Sequence, residues 1–131
     1  MIGLDTNVLV RLLTGDDAVQ RSAAKAFIKR TCSADNPAFI NRIVLVETIW
    51  VLESVYHYSR EEIAGAVDIL LRMVRVLTED SDLVRVALSA YRRGADFADA
   101  LIADTNVAAG CTKTVTFDRK AAKKIGEFVA L

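Results

Sequence analysis

Two aspartates follow strand-like segments, where α/β proteins often carry a site. Asp5 follows the short apolar start of the chain, and Asp118 follows the β-rich stretch Thr114–Phe117. Ligands of open α/β sheets bind at the carboxyl ends of the strands, so we expect both carboxylates at that edge. Because aspartate after a strand is also a common turn or capping residue, Asp5 alone would not define a site.

Glu47 is the third candidate, because it lies inside the apolar segment Ile43–Leu52. A helix that is apolar on nearly every side is expected to be buried, and an unpaired buried carboxylate is costly. The alternative is a glutamate at the rim of the helix that reaches solvent. Glu53 lies about 240° farther around this helix and does not share the face of Glu47.

Further acids follow Gly94. Asp96 is a predicted N-cap. Asp99 falls in the first turn of the helix predicted over Phe97–Ala109, where the helix dipole favours an anion. Asp104 lies about 140° from Asp99 around the same helix and is expected at the surface.

Acids brought together repel one another, and a bound cation offsets that repulsion. Hard divalent ions prefer oxygen ligands, and Mg²⁺ needs only one or two carboxylates beside phosphate and water. Carboxylates without nearby histidine or cysteine suit Mg²⁺ or Mn²⁺ rather than Zn²⁺. The chemistry indicated is hydrolysis of a phosphodiester or phosphomonoester by a metal-activated water.

Motifs for other chemistries are absent from the sequence. It contains neither the glycine-rich phosphate cradles nor G-x-S-x-G. The single histidine, His57, lies between two tyrosines near a predicted helix end. That position favours packing or surface exposure over a role as a triad base.

Strand-like and helix-like stretches alternate, which predicts an α/β fold with a mostly parallel sheet. Asn41 is predicted to cap a helix that reaches about His57, and S-x-x-E from Ser59 predicts a capping box. Gly94 and Gly110 are predicted to end two later helices. The predicted strands are Met1–Leu4, Ala38–Ile40, Arg75–Leu77, Thr114–Phe117 and Phe128–Val129.

The composition predicts one globular domain. The chain has 131 residues, of which 53% are hydrophobic, enough for a core of its own. Lys+Arg and Asp+Glu are 17 each, so a globally basic surface is absent, while local patches remain open. No apolar run has the roughly 20 residues of a membrane span, and we expect no signal peptide. Two distant cysteines favour a reducing cytoplasm.

The acidic segments, taken in order, resemble the motifs of PIN-domain ribonucleases. The resemblance covers essentially the whole chain and extends to VapC-like toxins of bacterial type II toxin–antitoxin pairs. The segments that carry it are Leu4–Leu9, Val44–Leu52, Asp96–Ala103 and Thr116–Asp118.

This resemblance implies a three-layer α/β/α PIN-like fold with a mostly parallel central sheet, formed by residues 1–131 as a single domain. It also implies a Mg²⁺- or Mn²⁺-dependent endoribonuclease. Whether Asp104 joins the acidic site stays open. The acids implied as catalytic and metal-binding are Asp5, Glu47, Asp99 and Asp118. The auxiliary residues implied are the acid Asp96 and the hydrogen-bonding residues Thr6, Asn7 and Thr116.

The resemblance also implies partners: an RNA substrate, a small antitoxin protein and a second copy of the chain. The helices Val44–Tyr56 and Ile63–Val74 favour a homodimer as well, because they are richer in apolar residues than one small core requires. Basic pairs near the acids would hold RNA phosphates, although charges that complete a helix dipole are an equally good interpretation. These residues are Arg92, Arg93, Arg119 and Lys120.

Two other functions remain open from the sequence. A phosphatase that resembles the haloacid dehalogenase family would use Asp5 as its nucleophile, but such enzymes carry an acid where Asn7 stands here. A PIN-like domain that binds RNA or a partner without cleaving is the other alternative. A nuclease assay with Mn²⁺ distinguishes this non-catalytic domain from a ribonuclease.

Overall fold

All strand pairing is parallel, which confirms the predicted α/β fold. The computed structural model describes residues 1–131. It contains a three-stranded sheet in the order β1-β2-β3 and a two-stranded sheet of β4 and β5. Helices connect the strands, because parallel neighbours need a crossover rather than a tight turn. The strands are β1 (Ile2–Gly3), β2 (Ala38–Ile40), β3 (Val76–Thr78), β4 (Thr114–Thr116) and β5 (Phe128–Ala130).

Seven helices alternate with these strands. None of them is long and apolar enough to cross a membrane. Their bounds are α1 (Thr6–Leu13), α2 (Ala18–Thr31), α3 (Arg42–Ser54), α4 (Arg60–Arg72), α5 (Ser81–Arg92), α6 (Phe97–Ala108) and α7 (Arg119–Lys124).

The chain divides into two compact units, Met1–Ser81 and Asp82–Leu131. In the first unit, α3 and α4 bury Leu45, Leu52 and Ile63 almost completely. In the second, the rings of Tyr91 and Phe97 meet edge to face with centroids 6.1 Å apart. Each unit therefore has apolar side chains to bury, which is the main favourable contribution to folding.

Helix ends follow the predicted capping chemistry. Asn41 accepts a 2.8 Å hydrogen bond from the backbone N–H of Val44. Ser59 and Glu62 form the predicted capping box at the start of α4. Gly94 and Gly110 adopt φ of 110° and 98° after α5 and α6, a region that favours glycine. Local sequence thus sets one end of each of these four helices.

The predicted extension of α3 to His57 is wrong. The helix ends at Ser54, and His57 adopts a left-handed φ of 56°. The N–H of Tyr58 then donates back to the carbonyl of Leu52. A left-handed residue closes this turn, a conformation uncommon for a residue with a Cβ atom.

Candidate active site

The first unit brings three predicted site residues together at the start of α1. Asp5 caps the helix, and its Oδ1 accepts a 3.0 Å hydrogen bond from the N–H of Val8. The next residue, Thr6, donates from Oγ1 to Oε2 of Glu47 over 2.6 Å. This bond joins the start of α1 to the middle of α3, which lies 41 residues away in the chain. The Glu47 carboxylate is therefore held beside the helix that Asp5 begins.

Glu47 is exposed, so the prediction that its helix is buried on nearly every side is wrong. Ile43 and Trp50 lie on the same face of α3 as Glu47 and are 71% and 63% exposed. The rim position, weighed above as the alternative, is the correct one. Sequence periodicity gave no sign of this, because the exposed face of α3 is itself apolar.

The second unit gathers the remaining acids around the start of α6. Asp96 caps this helix, as predicted, and its Oδ2 accepts a 3.0 Å hydrogen bond from the N–H of Asp99. Asp118 caps α7, and its Oδ1 accepts from Lys120 at 2.9 Å and from Ala121 at 3.0 Å.

A threonine hydroxyl orients the backbone before Asp118. The Oγ1 atom of Thr116 accepts a 3.0 Å hydrogen bond from the N–H of Asp118. The last residue of β4 therefore constrains the turn that leads to the acid. This is the kind of supporting contact predicted for Thr116.

The three acids of the second unit, Asp96, Asp99 and Asp118, interact electrostatically. Burial raises the pKa of Asp99, and the negative charges of Asp96 and Asp118 raise it further. Both charges disfavour ionisation of Asp99, as expected where carboxylates share a site. A bound cation would reverse this penalty.

Asp104 belongs to a different environment. It is partly buried, which corrects the prediction of a surface position. Burial raises its pKa, and the charge that adds to the effect is that of Glu127. The neighbours that raise the pKa of Asp99 do not include Asp104. The two aspartates of α6 are thus a matched pair with different surroundings.

Capping a helix does not prevent an aspartate from binding a ligand. Asp5 and Asp118 each use only Oδ1 for the helix N-terminus. The other carboxylate oxygen of each remains available. From the sequence alone, helix capping and ligand binding were alternative roles for these residues. In the structure the two roles are compatible.

The auxiliary residue Asn7 and the predicted phosphate contacts lie at the surface. Asn7 is exposed in the first turn of α1. The basic residues are exposed as well, which leaves them accessible to phosphates. They are Arg92, Arg93, Arg119 and Lys120.

The donor set fits a hard divalent cation, although no cage of protein ligands is complete. No three Asp, Glu, His or Cys side chains lie close enough together to hold a metal by themselves. Mg²⁺ usually keeps several waters and takes one or two carboxylates beside substrate phosphate. Burial raises the pKa of Asp99 most, and the carboxylates of Asp96 and Asp118, which add to this effect, are the observation that favours a cation here.

A polar network at the end of α1 was missed by sequence reasoning. Nη1 of Arg11 donates to Asp16 at 3.2 Å and to the Tyr56 hydroxyl at 3.0 Å, and the hydroxyl donates to Asp16 at 2.6 Å. Hydrogen bonds from Tyr56 and Thr14 lower the pKa of Asp16. Arg11 and Tyr56 are 45 residues apart, so no local pattern could pair them.

Removing the Thr6 hydroxyl should weaken metal binding. Thr6→Val keeps the shape of the side chain but loses the donor that orients Glu47, and such supporting contacts are worth about 10- to 100-fold in metal affinity or activity. We expect an increase of that size in the Mn²⁺ concentration needed for half-maximal thermal stabilisation. Thr6→Ser should restore the wild-type value, and Thr112→Val, on an exposed loop, should not change it. Wild-type Mn²⁺ binding by Thr6→Val would show that this bond has no positioning role.

Comparison with known proteins agrees with the fold. The PIN domain family matches residues 2–127, so the chain belongs to the PIN domain family. At the level of individual proteins, it is similar to the VapC ribonuclease of Aquifex aeolicus (strain VF5). The two are 27% identical over 124 residues, which is 94% of this chain and 90% of that protein.

Proposed function

We propose that this chain is a divalent-metal-dependent endoribonuclease and the VapC-like toxin of a type II toxin–antitoxin pair. The observation that carries the proposal is the crowding of carboxylates around Asp99 in a member of the PIN domain family. Similarity to a VapC ribonuclease over nearly the whole chain supports RNA as the substrate. We further propose that residues 1–131 act as a single PIN-like domain in the cytoplasm.

The residues that would hold the metal are the predicted acids Asp5, Glu47, Asp99 and Asp118. A bound Mg²⁺ or Mn²⁺ would supply an activated water and offset the charge of the phosphate oxygens. Their donor chemistry supports this assignment, because hard cations prefer carboxylate oxygens to softer ligands.

The chain itself contributes orientation and charge. Asp5 and Asp118 are held by backbone N–H groups through one oxygen, which fixes the direction of the other. Thr6 holds Glu47. Asp96 anchors the backbone of Asp99 and adds negative charge beside it. Preorganised groups of this kind lose little freedom when the substrate binds.

Exposed cations would position the RNA backbone. Lys and Arg contacts to phosphate supply most of the sequence-independent affinity for nucleic acid. In this chain the proposed phosphate contacts are Arg92, Arg93, Arg119 and Lys120, all of them exposed.

A protein partner is supported by apolar surface. A cavity of about 350 Å³ between α1, α2 and α4 has an almost wholly apolar lining and carries Lys25, Lys29 and Arg75. Such a surface suits an amphipathic antitoxin segment with acidic residues at its edges. The exposed Ile43 and Trp50 of α3 support a homodimer, because exposed apolar patches often mark protein contacts.

Purified protein should cleave single-stranded RNA with Mg²⁺ or Mn²⁺ and lose that activity in excess chelator. Products are followed on gels with end-labelled RNA, and activity should return when Mn²⁺ is added back. A DNA strand of the same sequence serves as the substrate control. The product of the open reading frame that adjoins the gene should suppress cleavage at equimolar concentration.

Undiminished cleavage in chelator would contradict the metal-dependent mechanism. Binding of RNA without cleavage in Mn²⁺ would indicate the non-catalytic alternative. An acyl-phosphate trapped on Asp5 would instead support the phosphatase.

A further inference from the structure

A groove begins at Asp5 and runs between α1 and α2. It is a cavity of about 440 Å³ whose lining includes Asp5, Asn7 and Arg11 along α1. From α2 the lining includes Gln20, Ala24 and Phe27. The volume lies near the lower end of the range for pockets that hold small organic ligands. One nucleobase with its sugar is of a suitable size.

At the end of the groove formed by Arg11 and Gln20, hydrogen bonds leave N–H donors for a ligand. Nε of Arg11 donates to Oε1 of Gln20 over 2.7 Å, so the amide oxygen of Gln20 is directed toward Arg11. The amide NH₂ of Gln20 remains to donate to a ligand. Arg11 has no acceptor at all. Both side chains therefore present N–H groups.

The charge of Arg11 is already balanced. Its ion pair with Asp16 spans 3.2 Å, and hydrogen bonds from Tyr56 and Thr14 keep that aspartate ionised by lowering its pKa. A compensated guanidinium attracts a phosphate weakly but still donates hydrogen bonds to a neutral acceptor. The Arg11 and Gln20 end of the groove is therefore better suited to a base than to a phosphate.

Farther along α2 than Gln20, the groove offers a surface for stacking. Phe27 is half-buried and lines the groove together with the small side chain of Ala24. Unpaired RNA bases stack on aromatic side chains, and each such contact contributes about 1–3 kcal/mol. An aromatic ring, small neighbours and convergent donors are the features that a base pocket requires.

We propose that the groove beside Asp5 binds one unpaired RNA base with a carbonyl acceptor, guanine or uracil, adjacent to the phosphodiester that is cut. This inference rests on the proposed ribonuclease function. The base would stack on Phe27 and accept hydrogen bonds from Gln20 and Arg11. The groove would thereby select where the RNA is cleaved.

The test uses oligoribonucleotides that carry one guanine or one uracil in a background of adenine and cytosine. Wild-type protein with Mn²⁺ should cut beside the guanine or uracil at least about tenfold faster than elsewhere. Ala24→Leu fills the groove and keeps helix propensity. It should lower kcat/KM on the preferred substrate about tenfold, mainly through KM, and abolish the preference. Ser22→Leu, an exposed position of α2 outside the groove, should behave as wild type.

A second variant and a second readout keep the test decisive. Gln20→Met removes the donor but keeps the length of the side chain, and it should reduce the preference for guanine or uracil. Anisotropy of the same labelled oligonucleotides on Asp99→Asn protein measures binding without cleavage. Adding Ala24→Leu to that protein should weaken binding of the preferred oligonucleotide about tenfold. Thermal melting and circular dichroism confirm that each variant is folded.

Wild-type kcat/KM and base preference in both Ala24→Leu and Gln20→Met would overturn the inference, and so would a preference for adenine or cytosine. Ala24→Leu protein that resists the antitoxin but cleaves RNA normally would show that the groove binds protein, which also overturns it. If wild-type protein cleaves no RNA, the proposed function fails. The anisotropy measurement then tests by itself whether the groove binds a base.

Discussion

Asp99→Asn is expected to lower metal-dependent RNA cleavage on the order of a thousandfold, while Asp104→Asn retains most of it. A metal that activates water and offsets phosphate charge is worth several kcal/mol in the transition state, and each 1.36 kcal/mol is a factor of ten. Both aspartates lie on α6 and have a raised pKa, so they are matched in helix, burial and charge. Only Asp99 has Asp96 and Asp118 as its charged neighbours.

The measurement is kcat for RNA at saturating Mn²⁺, with circular dichroism to confirm the fold of both variants. If Asp104→Asn were as damaging as Asp99→Asn, the acidic site would extend along α6 and include Asp104. If Asp99→Asn kept wild-type kcat, Asp99 would have no role in catalysis.

Asp5 and Asp118 need a substitution that separates capping from catalysis. Asparagine caps helices about as well as aspartate, so Asp5→Asn and Asp118→Asn preserve the starts of α1 and α7. A loss of activity in these variants therefore reports on the negative charge rather than on the helix. Glu47→Gln is the corresponding substitution on α3, because its amide oxygen can still accept the hydrogen bond from Thr6.

Much of the fold is encoded in short stretches of sequence. Strand β2 has the predicted bounds, and Asn41, Ser59 and Asp96 cap the helices that their types predicted. These features depend on residues within four positions of one another, so the sequence shows them directly. Asp5, Asp99 and Asp118 were predicted for the same reason, since each follows or begins a recognisable element, whereas Glu47 was predicted as an acid inside an apolar helix.

Exposure and long-range pairing are less visible in the sequence. Ile43 and Trp50 are apolar and were expected to be buried, but they lie at the surface. Hydrophobicity alone does not specify whether a side chain is covered by its own chain or by another molecule. The bond from Thr6 to Glu47 and the network around Arg11 join residues 41 and 45 positions apart. Such contacts depend on how helices pack, which one chain without an alignment does not reveal.

The stability of the metal-free protein should depend on pH through Asp99. Its pKa in the folded state is raised, so the folded protein binds protons more readily than the unfolded chain. Stability contributed by this group is complete below the ordinary value of about 3.9, and it is lost as pH rises through the raised pKa. Asp104 adds an effect of the same sign. Asp16 and Glu62 have lowered pKa values and act in the opposite direction.

The difference between wild type and Asp99→Asn isolates the contribution of Asp99. At about pH 7 the variant without metal should be at least as stable as wild type. At about pH 4, near the ordinary pKa of Asp, this advantage should shrink, because protonation has removed the repulsion in wild type. A favourable interaction with the helix dipole opposes this trend, whereas burial and repulsion by Asp96 and Asp118 raise the pKa of Asp99 and favour it.

Mn²⁺ should stabilise the wild-type protein and have much less effect on Asp99→Asn. A ligand that binds only the folded state adds about 2.7 kcal/mol at 100 times its dissociation constant. At neutral pH the inactive variant would thus be the more stable protein without metal and the less stable one with it, a reversal typical of charges retained for function. Thermal melting of both proteins at the two pH values, with and without Mn²⁺, tests this. If metal-free Asp99→Asn melted well below wild type at neutral pH, Asp99 would serve mainly to start α6, because its charge would then stabilise the helix more than it repels its neighbours.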